Sequence, residues 1–95
     1  SRMNEKNVIK ARHTAIKSLI QQEEIEDQLT LVALLKQRFD LHTSQSIVSR
    51  DLRTLGVYKK NLRDKSVYEL PQKDASLQLL QLAIIEVHHN ETLII

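Results

Sequence analysis

Gln45, Ser46, Ser49, Arg50 and Arg53 are the residues of this 95-residue chain whose types and spacing carry the clearest chemistry. On a helix turning about 100° per residue they fall within one arc of about 140°. An Arg fork can bond guanine through two hydrogen bonds, Gln can do the same for adenine, and Ser serves a base edge or a phosphate. That chemistry is the reading of a major groove, in which no covalent bond changes. Thr43 and Ser44 open the same segment, and Lys59, Lys60, Arg63 and Lys65 crowd shortly after it, opposed there only by Asp64. Clustered cations of this kind neutralise phosphates. Gln28 is a further candidate, since the positive end of a helix beginning at that residue can meet a phosphate.

Residues 43–56 are predicted to form the helix that carries the reading face. Thr43 is its expected N-cap, and Gly56 suits the left-handed position that ends it. Val48, Leu52 and Leu55 recur at i, i+4 and i+7 and form a stripe that must be buried. Upstream, Gln28–Phe39 reads as a second helix capped by Asp27 and separated from the third by Asp40-Leu41-His42. Two helices joined by so short a break make a helix-turn-helix, whose second helix is the reader. Downstream, Val57–Asn61 and Ser66–Leu70 flank Leu62-Arg63-Asp64-Lys65, the pattern of a hairpin wing with a basic tip. A first helix over about Glu5 to Gln21 places Val8, Ile9, Ala15, Ile16, Leu19 and Ile20 at helical spacing. Ile25, within the acidic break after it, is expected to add a very short strand to the sheet. Asp51 projects toward the buried side of the third helix, where a carboxylate needs a partner, and Arg12 or another base on the first helix can supply it.

The fold class is therefore mainly α (α+β): a winged helix-turn-helix of three helices plus a β-hairpin wing over residues 1–71. A polar linker at 72–76 and a short helix/strand segment at 77–95 follow. The formal charge is +2, but residues 1–71 hold thirteen Lys/Arg against nine Asp/Glu, while 72–95 hold one Lys against three acids. The positive excess thus sits on the module expected to meet nucleic acid. Without cysteine there are no disulfides and no thiolate-bound zinc, which fits a reducing compartment. No apolar run approaches the roughly eighteen residues of a membrane span, so a cytoplasmic protein is expected.

Catalysis finds little support. A single glycine excludes the glycine-rich phosphate loops. His13, His42, His88 and His89 form no metal-ligand spacing and read as exposed or capping residues, and Ser49 has no His/Asp relay. The competing class is a protein-interaction module, because winged helices also dock proteins through the same surfaces.

Four stretches together carry a family resemblance: Arg12-His13-Thr14-Ala15-Ile16, Ile25-Glu26-Asp27-Gln28-Leu29, Thr43 to Leu52, and Tyr68-Glu69-Leu70-Pro71. Over about residues 6–71 the chain resembles the amino-terminal domain of the bacterial arginine repressor family, most specifically in Ser-Gln-Ser-Ile-Val-Ser-Arg-Asp. The resemblance implies binding to double-stranded operator DNA near arginine metabolism genes, with Ser49 and Arg50 central, Gln45 and Ser46 approaching the groove, and the wing straddling phosphates. It also implies a second domain that assembles into trimers and hexamers and binds L-arginine as co-repressor. Residues 77–95 look like the start of that domain only, and the family's Gly-Thr-Ile-Ala-Gly-Asp-Asp-Thr segment has no counterpart here. No cofactor is therefore expected in this chain, and L-arginine is implied for a longer protein. Eleven of residues 77–95 are Leu, Ile, Val or Ala, so this tail is expected to fold back or to pair copies into a dimer. Met3 reads as a native start, with Ser1-Arg2 an addition.

Overall fold

The structure, a computed structural model, describes residues 4–72. The readings made for Ser1–Met3, for most of the 72–76 linker and for the 77–95 segment lie outside the described residues. Three helices are followed by a hairpin: α1 (Glu5–Gln22), α2 (Gln28–Phe39), α3 (Gln45–Leu55), β1 (Tyr58–Asn61) and β2 (Ser66–Glu69).

Each helix start has a side chain that accepts from an otherwise unpaired backbone N–H. Asn4 Oδ1 accepts from the Asn7 amide at 2.9 Å, and Asp27 Oδ1 from the Thr30 amide at 2.8 Å. At α3 the cap is Ser44, whose Oγ accepts from the Ile47 amide at 3.3 Å. The expectation of Thr43 as cap is thus displaced by one residue. α2 ends at Asp40 with φ 53°, a left-handed conformation that Asp tolerates, and the Asp40 amide donates to the Lys36 carbonyl at 3.2 Å. Thr43 instead turns its hydroxyl inward, where Oγ1 is buried without a hydrogen-bond partner.

The apolar stripes of the helices meet in one core. Ile16 and Leu19 of α1, Leu31 and Leu35 of α2, and Val48 and Leu52 of α3 are all buried in it, with Ile25 from the connecting loop. Side chains this well enclosed contribute roughly 1.5–3 kcal/mol each when removed from water. Leu55, Tyr68 of β2 and Leu70 just after it pack against the rim.

The hairpin pairs β1 antiparallel to β2, with Lys59 opposite Tyr68 and Lys60 opposite Val67. Its four-residue loop is closed by the Leu62 amide donating to the Lys65 carbonyl at 2.7 Å, the connection expected from Leu62-Arg63-Asp64-Lys65. Ile25 is not a strand, but its carbonyl accepts from the Tyr68 amide at 2.8 Å and so covers the second side of β2. Gly56 ends α3 at φ 73°, as expected of a left-handed C-terminal position, and Pro71 packs beside it.

Candidate nucleic-acid interface

The expected reading arc is present on α3. Gln45, Ser46, Arg50 and Arg53 are exposed and Ser49 is half-buried, while Val48 and Leu52 on the other side are enclosed. An α3 of 11 residues, about 16 Å long at 1.5 Å per residue, presents this face over the length that a groove can receive. Ser44 spends its oxygen on the cap and lies 3.2 Å from the Ser46 hydroxyl, which leaves the Gln45 and Ser46 amides at the helix start available to an anion.

Two residues beside Arg50 extend the face beyond the sequence reading. Ile47 is 41% exposed, and Thr54 also lies on the surface. On the helical wheel both lie past Arg50 on the side away from Gln45, so the signal was available in the periodicity. An exposed Ile methyl suits the C5-methyl of thymine. Together with Arg50 and residues of α1 they line a groove of about 400 Å³.

Asp51 forms the floor of that groove and is 4% exposed. Arg12 donates to it twice, from Nε to Oδ2 and from NH2 to Oδ1 at 3.0 Å, and His13 Nε2 lies 2.8 Å from Oδ1. The expected partner on the first helix is therefore Arg12, joined by its neighbour. His13 is half-buried and paired, not exposed or capping as expected, whereas His42 is exposed. Burial pushes the Asp51 carboxyl up, but the hydrogen bonds from Arg12 and His13, with their charges, outweigh it and hold the group below the usual carboxylate range.

The wing cations divide into two sets. Lys60 and Arg63 are exposed and, among the described residues, enter no ion pair. Lys59 turns the other way: its Nζ donates to the Glu26 carbonyl and lies 4.5 Å from the Tyr68 ring centroid. Lys65 Nζ meets Glu24 at 2.8 Å, and that carboxylate raises its pKa. Lys59 and Lys65 thus fasten the wing to the acidic loop between α1 and α2. Gln28 is half-buried, with its side chain beside Tyr68, whose pKa is raised by burial and by the Asp27 charge. It braces the wing from the start of α2. Among the described residues no group of three His, Cys, Asp or Glu could hold a metal ion, and no helix is long and apolar enough to cross a membrane.

A three-helix core, a second helix of the turn with an exposed polar face and a two-stranded wing define a winged helix-turn-helix DNA-binding domain. A family model described as "Arginine repressor, DNA binding domain" matches residues 9–76. The arginine repressor of Histophilus somni (strain 2336) is 36% identical over 85 residues, covering 85% of this chain and 55% of the relative. That of Glaesserella parasuis serovar 5 (strain SH0165) is 33% identical over 85 residues and is covered to 56%. The chain belongs to the arginine repressor family. It spans about 55% of the length of the curated relatives it matches.

Arginine itself does not fit the described domain. A guanidinium ligand needs an available, sheltered carboxylate, and Asp51, the one buried charged residue among those described, is already occupied by Arg12.

Proposed function

We propose that this chain is the DNA-reading part of a transcriptional repressor of arginine metabolism genes, acting in the cytoplasm by occupancy of operator DNA and without catalysis. The observation that carries the proposal is the exposed Gln45, Ser46, Arg50 and Arg53 face on a helix whose other side is locked into the core. In this reading α3 enters the major groove and Arg50 makes the principal base contact, with Gln45, Ser46, Ser49 and Arg53 beside it. Lys60 and Arg63 grip the adjoining backbone. Thr43 and Ser44 shape the helix start that faces a phosphate. Lys59, Lys65 and Gln28 hold the wing in place for those contacts. One domain reads only a few base pairs, so specificity comes from several copies spaced by about one helical turn. In the longer protein, self-association up to a hexamer supplies that spacing and L-arginine acts as co-repressor. Residues 72–76 are the linker, and residues 77–95 are the start of that second domain.

The test is binding to a labelled palindromic arginine-type operator and to a scrambled duplex across a salt series, with and without L-arginine. Tighter, salt-sensitive binding to the operator, indifferent to arginine, is expected. Binding to neither duplex refutes the reading. The second reading, a protein-docking module, draws on one observation: an apolar groove of about 510 Å³ between α1 and Phe39, a residue that is 41% exposed. It is favoured if salt leaves duplex binding unaffected.

A further inference from the structure

Asp51 lies next to Arg50 in the chain, yet it faces the opposite environment. Its carboxylate is enclosed between α1 and α3, and every side-chain hydrogen bond between those two helices among the described residues converges on it. α3 packs closely along α2, while its approach to α1 is sparse. A helix held by packing on one side can still roll about its own axis. A forked Arg–carboxylate contact resists such roll because its two hydrogen bonds share one plane and tolerate little rotation.

The roll matters at Arg50. With Cα atoms at about 2.3 Å from the helix axis and a side chain reaching roughly 6 Å further, the guanidinium sits about 8 Å out. Ten degrees of roll therefore carries it about 1.4 Å sideways, whereas a binding constellation must be held within about 0.5 Å. Arg50 borders the same groove that Asp51 floors, so the two respond to one motion.

We propose that the Arg12–Asp51–His13 cluster fixes the roll of α3 and thereby aims Arg50 at its base, making Asp51 and Arg12 positioning residues for operator choice. The proposal rests on the DNA-reading function above. It assigns to a contact that never touches DNA the task of discriminating between sequences. Because phosphate contacts by the wing and the helix start tolerate small displacements, losing the cluster weakens preference more than it weakens binding.

The test uses the full chain and compares operator with scrambled duplex for the wild type, Asp51→Asn, Arg12→Lys, Arg50→Ala and the Arg50→Ala/Asp51→Asn double variant. Circular dichroism checks that each is folded at the assay temperature. Asp51→Asn and Arg12→Lys are each expected to lower the operator-to-scrambled affinity ratio roughly tenfold, within the range of one lost bidentate base contact. Scrambled-duplex affinity and the salt slope are expected to stay within about twofold of the wild type. The double variant is expected to lose no more preference than Arg50→Ala alone, since Asp51 acts through Arg50. Should Asp51→Asn fail to fold, Arg12→Lys, which keeps the charge and loses the fork, decides the matter. Folded variants that keep the wild-type ratio overturn the proposal, as do losses that multiply in the double variant. A wild type without operator preference overturns the DNA-reading function itself, and the positioning role with it.

Discussion

Lys59 and Lys60 are neighbours of identical type, and the structure assigns them different work that a salt titration can separate. Lys60 is exposed with no ion pair among the described residues, whereas Lys59 is bound to the Glu26 carbonyl and stacked over Tyr68. A cation that neutralises one phosphate steepens the salt dependence of log K by about 0.9. At 0.1 M salt that corresponds to about eightfold in affinity, or about 1.2 kcal/mol. Lys60→Ala and Arg63→Ala are therefore each expected to weaken all duplexes alike by about that factor and to flatten the slope by nearly one. Lys59→Ala is expected to leave the slope unchanged and to cost stability instead, about 0.5–1 kcal/mol for an exposed cation–π contact. In a domain this small that lowers Tm by roughly 2–8 °C. Fluorescence anisotropy with a scrambled duplex between 50 and 200 mM salt, alongside thermal melts, reads both quantities (conditions on the order of those where the effect is steep). A Lys59→Ala slope as flat as that of Lys60→Ala would refute the assignment, because Lys59 would then have left Glu26 for a phosphate.

Substitutions at four other residues test the frame that holds the exposed face of α3. Asp51→Ala strands Arg12 and His13; breaking a buried pair costs about 3–5 kcal/mol, and their partial rehydration reduces this to roughly 2–3 kcal/mol, a Tm loss of about 10–20 °C at neutral pH. Because the folded Asp51 pKa is depressed, its contribution is present above about pH 4 and fades as pH falls through the folded value, so melts should show Asp51→Asn converging on the wild type in acid. Ser44→Ala should cost about 1 kcal/mol through loss of the cap, whereas Thr43→Val, which replaces an unpartnered buried hydroxyl by a methyl, should raise the denaturation midpoint. Gly56→Ala should destabilise by about 1–2 kcal/mol because of the positive φ, since a Cβ there would meet Pro71 Cγ at an ordinary 3.5 Å.

Local signals carried much of this architecture. Asp27 starts a helix and Gly56 ends one where short-range chemistry says they must, and the Val48, Leu52 and Leu55 stripe needs only the helical period to be assigned inward. The misplaced cap shows the limit of that logic. Thr43 and Ser44 are both competent caps, and burial separates them: the Thr43 hydroxyl is enclosed, whereas Ser44 Oγ accepts from the Ile47 amide, a distinction that no side-chain pattern announces. The wing cations show another limit. Alternation along a strand already sends Lys59 and Lys60 to opposite faces, but that Lys59 reaches Glu26 and Lys65 reaches Glu24 depends on contacts far apart in the chain. Charge counting treats all four wing cations alike, and only tertiary structure shows which are taken. Asp51 lay between these cases: its inward direction demanded a base on α1, while the addition of His13 beside Arg12 depends on how the two helices cross.

Pro71 against Gly56 places the departure of the backbone directly behind the last turn of α3. Anything that holds the chain beyond this point therefore has its grip at the end of the reading helix, far in sequence from the Ser44 start. In a set of identical copies, the distances between such anchorage points become distances between reading helices with little slack to absorb error. A spacing mismatch would then be felt as a pull along or across α3, and the domain would let go of its base pairs before its core gave way.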